Sequence, residues 1–253
     1  MPIAGPPLTR VVDIDDLLDI GLKTKPDELA LASAKTQMTW RQLDDVSTRL
    51  AGHYLAFGLK PGDRVASLMP NRPALVVHYL ACLKAGLAAT PLNYRYTPPE
   101  IDHALEVSGA ALLLHHGERD ADVAASRLAE QLPKGVIRYR AGEGPGPHYE
   151  DLVERPNSDA SLPAPNPEAA AFIYFTSGST GKPKGVAHTR RSFGSMMAAG
   201  IQGMELTDAD TFRPGSSMSH VGGSLFGLSI LAAGGRLLIA RGSDGPEVLP
   251  LLR

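Results

Sequence analysis

The sequence predicts an α/β protein of doubly wound, mainly parallel sheets with flanking helices. Three observations lead to this fold class. Short apolar runs alternate with helical patterns along most of the chain, which is the succession that builds a parallel sheet. Turn residues separate consecutive runs. The 253 residues are enough for one large domain or two subdomains with a substantial core.

Strands and helices alternate regularly in the first part of the chain. Thr39 can cap the second predicted helix, because its hydroxyl can accept a backbone N–H of the first turn. Pro98 and Pro99 suit a first helical turn, where a missing N–H costs nothing. The predicted strands are Leu29–Ala32, Arg64–Met69, Leu87–Leu92, Ala111–His115 and Val136–Tyr139. The predicted helices are Ile14–Leu22, Trp40–Gly58, Ala74–Ala85, Glu100–Ser108 and Asp122–Leu132.

Two connectors interrupt this succession. Arg140–Pro147 is rich in Gly and Pro, and Arg155–Pro167 carries several prolines among Asn, Ser and Asp. Both are typical of surface loops, and they enclose a short helical segment, His148–Glu154. We therefore predict a first α/β subdomain over residues 1–166 and the start of a second one over residues 167–253.

The second part is predicted to begin with a buried strand, Ala169–Phe175, which the helix Arg190–Gln202 follows. The uncharged stretch Met218–Gly235 reaches the lower limit of length for a membrane span. Its glycines and serines dilute it, so we predict a buried helix and strand in a soluble core instead. Residues Pro246–Arg253 have the pattern of another helix beginning.

Composition argues against several classes of function. A formal net charge of −2 provides neither the basic surface of a nucleic-acid-binding protein nor an acidic tail. The single cysteine, Cys82, lies in an apolar stretch, so we expect a buried thiol rather than a nucleophile or a disulfide. Met1–Arg10 lacks the basic region and apolar core of a secretory signal. A reducing, cytoplasmic location is expected.

The segment Tyr174–Gly185 is predicted to bind an anion. Its glycines allow the backbone to turn and to approach a ligand without a Cβ in the way, and successive N–H groups can then form an anion nest. Hydroxyls add donors, and lysines compensate the charge of a polyphosphate. The segment contains Gly178, Gly181 and Gly185, the hydroxyl residues Thr176, Ser177, Ser179 and Thr180, and the lysines Lys182 and Lys184.

Two other kinds of glycine-rich loop share some of these features. A Walker A loop is excluded by spacing, because only two residues separate Gly178 from Gly181 and Pro183 stands where the Walker hydroxyl belongs. A solvated turn without a ligand is common for glycine-rich loops. The concentration of hydroxyls, glycines and lysines directly after a strand favours the anion site.

Phe175–Gly185 resembles the signature loop of the adenylate-forming enzymes, which include acyl-CoA synthetases, peptide-synthetase adenylation domains and luciferases. The resemblance extends over nearly the whole chain and favours the fatty-acyl and aryl-CoA branch over the peptide synthetases. Further segments similar to the first subdomain of acyl-CoA synthetases are Gly62–Val65, Met69–Asn71, Tyr79–Gly86 and Pro91–Arg95.

The resemblance implies a ligation in two steps with ATP, Mg²⁺ and coenzyme A. A carboxylic acid attacks the α-phosphorus of ATP to give an acyl-adenylate and pyrophosphate, and a thiol then displaces AMP. Thr176 and Lys184 are the implied catalytic residues, with Lys184 holding the loop or the pyrophosphate. The residues implied to wrap the phosphates are Thr176, Ser177, Gly178, Ser179, Thr180 and Gly181.

The segment Met218–Gly223 resembles the family's segment beside the acyl pocket. In this interpretation His220 lines the carboxylate end of the substrate, and Gly222 and Gly223 permit close approach of the acyl chain. The alternative is that His220 caps a helix or makes a hydrogen bond within the core.

The family's motifs for adenine, the ribose hydroxyls, the hinge and the catalytic lysine of the mobile domain are expected beyond Arg253. We therefore expect this chain to be the amino-terminal portion of an acyl-CoA ligase, inactive by itself. The alternative is a non-enzymatic module that binds a nucleotide, an acyl group or a partner protein. A homodimer is among the expected assemblies, and the identity of the acid stays open.

Overall fold

The computed structural model describes residues 11–142, 144, 146–155, 161–176, 182–242 and 245–249. It contains two mainly parallel sheets with flanking helices, which confirms the predicted fold class. The strands are β1 (Leu29–Ala32), β2 (Gln37–Thr39), β3 (Arg64–Leu68), β4 (Ala88–Pro91), β5 (Leu112–His116), β6 (Val136–Tyr139), β7 (Ala170–Thr176), β8 (Lys184–Thr189), β9 (Thr211–Phe212) and β10 (Arg236–Leu238).

The helices surround these sheets. They are α1 (Asp19–Thr24), α2 (Trp40–Ala56), α3 (Pro73–Lys84), α4 (Pro98–Ser108), α5 (Asp120–Ala125), α6 (Tyr149–Glu154), α7 (Arg190–Gly203), α8 (Val221–Ala232) and α9 (Gly245–Val248). Short 3-10 turns lie at Ile14–Asp16, Gly117–Arg119 and Ala129–Gln131. The predicted cap of α2 is present, because the Thr39 hydroxyl accepts the N–H of Gln42.

The large sheet has the strand order β6-β5-β3-β4-β7-β8, and only the β7–β8 pair in it is antiparallel. From β3 the chain moves to β4 on one side and then returns to place β5 on the other side. This reversal creates a topological switch point at β3. In open α/β sheets, ligands bind outside the carboxyl ends of the strands at such a point.

The small sheet has the order β2-β1-β10-β9. Strand β1 pairs in parallel with β10, although the two lie at opposite ends of the chain. Likewise β4 pairs with β7 in the large sheet. Both sheets therefore combine strands from before and after residue 166, and the division of the chain at that residue stays a prediction.

The core between the sheets is built around α3. Every residue of α3 from Pro73 to Leu83 is buried, because both α2 and the sheets pack against this apolar helix. Tyr79 of α3 meets Phe172 of β7 edge to face, with ring centroids 5.4 Å apart, and Phe172 packs against Phe193 of α7 at 4.6 Å. Cys82 is a buried free thiol, and its burial was predicted.

Two predicted helices are wrong in their extent. The segment predicted as one helix over Asp122–Leu132 is interrupted at Ser126, which takes an extended ψ of 133°. The Asp102 carboxylate accepts hydrogen bonds from the Ser126 hydroxyl at 2.6 Å and from the Leu128 N–H at 3.1 Å. This side chain competes with the helical pattern for the backbone donor. The predicted helix Ile14–Leu22 is likewise divided into a 3-10 turn and α1.

Strands β2, β8 and β9 were absent from the sequence prediction. Strand β8 follows the glycine-rich segment and is mostly exposed, so its sequence lacks the alternation of a half-buried strand. Its antiparallel pairing with β7 instead defines it. The apolar stretch Met218–Gly235 contains α8 and leads into β10, and no helix of the described residues has the length and apolarity to cross a membrane.

Candidate functional site

A cleft of about 510 Å³ opens where the carboxyl ends of parallel strands from both sheets converge. The cleft lies at the switch point of the large sheet, as the topology rule for α/β proteins predicts. Asn71 follows β3, Asn93, Tyr94 and Arg95 follow β4, Arg119 follows β5, Arg213 follows β9, and Arg241 follows β10.

The cleft is cationic. Arg241 donates two hydrogen bonds to the Glu118 carboxylate, at 2.9 and 2.6 Å, and Arg119 pairs with Asp122 at 2.8 Å. Within the described part of the chain, neither Arg95 nor Arg213 has a carboxylate partner. The excess of guanidinium groups favours an anionic ligand in the cleft.

A hydrogen-bonded pair fixes one wall of the cleft. The Tyr94 hydroxyl donates to the Glu118 carboxylate at 2.6 Å. Burial, together with the neighbouring carboxylate, raises the pKa of Tyr94 to about 12. The same hydrogen bond holds the pKa of Glu118 below its ordinary value. At neutral pH Tyr94 is therefore a protonated donor and Glu118 an ionised acceptor, which keeps Arg241 in place.

The predicted phosphate loop joins β7 and β8. Thr176 is the last residue of β7, Lys184 is the first residue of β8, and the two are paired directly across the antiparallel ladder. Both residues are exposed. Because β7 runs parallel to β4, the loop leaves the large sheet at the same carboxyl edge as the cleft. Ser177, Gly178, Ser179, Thr180 and Gly181 lie outside the described residues, so their roles stay predictions.

His220 lies in the cleft at the N-cap position of α8. Its side chain is exposed and makes no capping hydrogen bond. The side-chain alternatives that the sequence left open are not seen, because the imidazole is neither buried in the core nor bonded to the first turn of α8. An imidazole at the opening of the cleft is available to a ligand.

The two predicted pocket glycines differ in their surroundings. Gly222 is exposed, and a Cβ built on it would meet no atom within 4 Å. Gly223 is buried, and a Cβ built on it would overlap the carbonyl oxygen of Ser217 and lie 2.7 Å from its carbonyl carbon. Gly223 thus permits close approach of the protein's own backbone. Contact of either glycine with an acyl chain stays a prediction.

Asn71 is a site residue whose role sequence reasoning missed. Its side-chain oxygen accepts the N–H of Met218 at 2.8 Å, and its side-chain nitrogen donates to the carbonyl of Ser216 at 3.1 Å. The Tyr79 hydroxyl donates to the Met218 carbonyl at 2.7 Å. These bonds hold the segment that leads to His220 against the large sheet. The sequence offered only an Asn in a turn after a buried strand.

The chain matches known proteins over most of its length. The family model for AMP-binding enzymes covers residues 19–252. A feruloyl-CoA synthase from Amycolatopsis sp is 38% identical over 170 residues, which are 66% of this chain and 31% of that protein. The long-chain-fatty-acid–CoA ligase FadD13 from Mycobacterium tuberculosis is 32% identical over 193 residues, or 75% of this chain and 37% of that protein. The chain thus spans about a third of these relatives.

Solved structures share the fold. ATP-bound MatB from Rhodopseudomonas palustris superposes with a TM-score of 0.82 at 23% identity, covering 96% of this chain and 48% of that one. The N-terminal domain of FACL13 from Mycobacterium tuberculosis, solved with an inhibitor, gives a TM-score of 0.82 at 24% identity, covering 95% of this chain and 60% of that one. At these identities the likeness establishes the architecture.

Proposed function

The chain belongs to the family of AMP-binding enzymes, and on this premise we propose that it is the amino-terminal part of an ATP-dependent acid–CoA ligase that works through an acyl-adenylate. The relatives named as CoA synthases and CoA ligases support this activity. The solved relative that contains ATP supports ATP as the nucleotide.

One structural observation carries the proposal. The hairpin that bears the glycine- and lysine-rich loop leaves the large sheet at the same carboxyl edge as a cationic cleft. Such an arrangement suits a ligand with a polyphosphate at one end and a second group in the cleft. ATP together with a carboxylic acid has this character.

In the proposed reaction, a carboxylate oxygen attacks the α-phosphorus of ATP, the bond to pyrophosphate breaks, and an acyl-adenylate forms. A thiol, proposed to be that of coenzyme A, then attacks the acyl carbon and AMP leaves. Phosphoryl and nucleotidyl transfer need chiefly positioning and compensation of charge. Mg²⁺ belongs to the proposal as the ion that accompanies the phosphates of ATP and offsets part of their charge.

The site residues have distinct proposed roles. Thr176 supplies its hydroxyl where the loop begins, and Lys184, its partner across the ladder, supplies an ammonium group for the phosphates. The residues from Ser177 to Gly181 supply backbone and hydroxyl donors to the phosphates. His220 contacts the carboxylate end of the acid, and the open space beside Gly222 admits part of the acyl group.

The remaining details are also proposals. A fatty or aryl acid is proposed because named relatives act on ferulate and long-chain fatty acids. A role in fatty acid metabolism, a cytoplasmic location and a homodimer complete the proposal.

The test is carboxylate-dependent exchange of labelled pyrophosphate into ATP. It is run on this chain and on its complete reading frame, with a panel of fatty and aromatic acids. We expect exchange by the complete protein with only some of the acids, which would also begin to identify the substrate. If both proteins are folded and neither shows exchange with any acid, the ligase proposal fails and a binding module takes its place.

Lys184→Ala is expected to lower the kcat/KM of this exchange at least about tenfold, because a charge-assisted contact to phosphate is lost. The fold should persist, since Lys184 is exposed on an edge strand. Lys35→Ala is the matched control, an exposed lysine in a turn remote from the loop in sequence. Equal kinetics in the two variants would remove Lys184 from the site.

A further inference from the structure

A second cleft, of about 600 Å³, lies on the outer side of the phosphate-loop hairpin. It is bounded by helix α4 on one side and by the end of the loop on the other. Its walls include His103, Glu106, Arg127, Gln131, Lys182 and Pro183. Apart from Lys182 and Pro183 of the loop, the residues of this cleft have no role in the functional site described above.

His103 makes a direct contact with the end of the loop. Its Nε2 lies 2.9 Å from the carbonyl oxygen of Pro183. A carbonyl can only accept, so Nε2 carries a proton and donates. Both the neutral Nε2–H tautomer and the imidazolium form can make this bond. In the described part of the chain, it is the one side-chain hydrogen bond to residues 182–184.

Helix α4 also packs along the first residues of β8. A Cβ built on Gly185 would lie 3.7 Å from Cγ1 of Val107, which is one turn beyond His103 on the same helix. Strand β8 is the edge of the large sheet and its first residues are exposed. Helix α4 therefore supports the hairpin at a place where the sheet provides a partner on one side only.

The hydrogen bond from His103 to the Pro183 carbonyl restricts the backbone next to the loop's lysines. Pro183 lies between Lys182 and Lys184, and its ring fixes φ. Holding its carbonyl oxygen fixes the plane of the peptide that leads into Lys184. Together with the pairing of Lys184 with Thr176 in the β7–β8 ladder, this restricts the direction in which the Lys184 side chain leaves the strand.

We propose that His103 is a positioning residue for the nucleotide phosphates, which acts by holding the exit of the loop through Pro183. The inference rests on the proposed function, because it assumes that the loop binds ATP. Ordering a chain segment on a ligand costs conformational entropy. Fixing one end of it beforehand reduces that cost and so increases affinity.

Two substitutions separate the hydrogen bond from the bulk of the ring. His103→Leu keeps the approximate size of the side chain and removes the hydrogen-bond donor. His103→Gln retains an N–H donor of similar reach. His53→Leu is the matched control, because His53 Nε2 also faces a backbone carbonyl, that of Arg155, at 3.4 Å on another part of the surface. If His103→Leu does not fold, His103→Ser takes its place.

The experiment uses the protein of the complete reading frame, and it measures binding of ATP with Mg²⁺ by calorimetry and the rate of trypsin cleavage after Lys184 without nucleotide. We expect His103→Leu to bind ATP about fivefold more weakly and to be cleaved about fivefold faster, as the loss of one neutral hydrogen bond implies. His103→Gln should lie within about twofold of the unchanged chain in both measurements, and His53→Leu should match it.

The outcomes separate this inference from the function on which it rests. If the unchanged chain binds ATP and His103→Leu binds it equally well, the inference is wrong and the proposed function stands. Failure of His103→Gln to restore binding would also overturn it, since the ring alone would then matter. If the unchanged protein of the complete reading frame is folded and binds no ATP with Mg²⁺, nucleotide binding by the loop fails and the inference fails with it.

Discussion

The amide of Asn71 joins the end of β3 to the segment that carries His220, and its loss should weaken the whole fold. Asn71→Ala leaves the buried Met218 N–H and the partly buried Ser216 carbonyl without their partner. We expect a decrease of about 2 kcal/mol in the free energy of unfolding, because orphaned buried polar groups keep their desolvation cost. Urea denaturation measures this.

Asn93→Ala is the control for this prediction. Asn93 lies in the same cleft, but among the described residues its side chain accepts only from the nearby N–H of Arg95, at 3.0 Å. Its removal should cost less than about 1 kcal/mol, since the freed N–H is exposed to water. Equal losses in the two variants would contradict the connecting role of Asn71.

The sequence alone could predict the glycine- and lysine-rich loop but not the hydrogen bonds of Asn71. The loop could be identified because its glycines, hydroxyls and lysines follow one another in the sequence. Asn71 could not, because its partner Ser216 is 145 positions away and no local pattern indicates such a pair. The position of His220 at the cleft was expected from the resemblance, and its exposure at the N-cap of α8 is consistent with that role.

Helix α8 packs closely against the segment before it, and two adjacent glycines allow this to be tested. Gly223→Ala would place a methyl group against the Ser217 carbonyl. We expect the free energy of unfolding to fall by about 2 kcal/mol or more, because overpacking a filled space destabilises the fold. Gly222→Ala meets open space and should be neutral or stabilise by up to about 1 kcal/mol, since Ala favours helix. Thermal and urea unfolding of both variants give the comparison.

A similar loss in both variants would mean that helix geometry near its start, rather than the contact with Ser217, sets the cost. The comparison also separates structure from binding. A Gly222→Ala protein that is stable but binds acid more weakly would support the proposed place of Gly222 beside the substrate.

Most elements were predictable because their signals are local. Strand β1, the cap of α2 and the buried helix α3 follow from apolar runs and capping residues. The break after α5 was not predictable, since it depends on the Asp102 carboxylate of another helix. Strand β8 was missed because its identity comes from pairing with β7 rather than from its own composition.

The two sheets share one core, so that buried titratable groups act on the stability of the whole molecule. His78 of α3 is fully buried, with Nδ1 2.7 Å from the Tyr54 hydroxyl and the Cys82 sulfur nearby. Burial lowers the pKa of His78 to about 3. His115 of β5 is buried between Asp120 and Arg138, and burial lowers its pKa to about 4.

Both histidines should therefore make the protein less stable in mild acid. The unfolded chain takes up a proton at each ring below an ordinary pKa of about 6.5, whereas the folded protein does not until about pH 4 or lower. The contribution of the two neutral histidines to the free energy of unfolding is thus fully present above pH 6.5 and falls as the pH decreases below that value. Each histidine should contribute roughly 1 kcal/mol of loss per pH unit between pH 6 and 5.

Carboxylates change the stability of the protein at lower pH than histidines do, so the two effects can be measured separately. The pKa of Glu100 and that of Glu118 are lowered, mainly by hydrogen bonds from Thr97 and Tyr94 respectively. A depressed carboxyl pKa gives stability above the ordinary value of 4.5, and that stability is lost as pH falls below it. Measurements between pH 5 and 6.5 therefore report chiefly on histidine.

His78→Asn tests this account of acid sensitivity, because Asn keeps an acceptor near the position of Nδ1 and does not titrate. The variant will be less stable at pH 7 through lost packing, but its unfolding free energy should fall by roughly 1 kcal/mol less between pH 6 and 5 than that of the unchanged chain. His53→Asn, at a partly exposed position on α2, should keep the original slope. If His78→Asn shows the same pH dependence of the unfolding free energy as the unchanged chain, the His78 ring must take up its proton within the fold. The shared core would then admit a charge that the burial of His78 is expected to exclude.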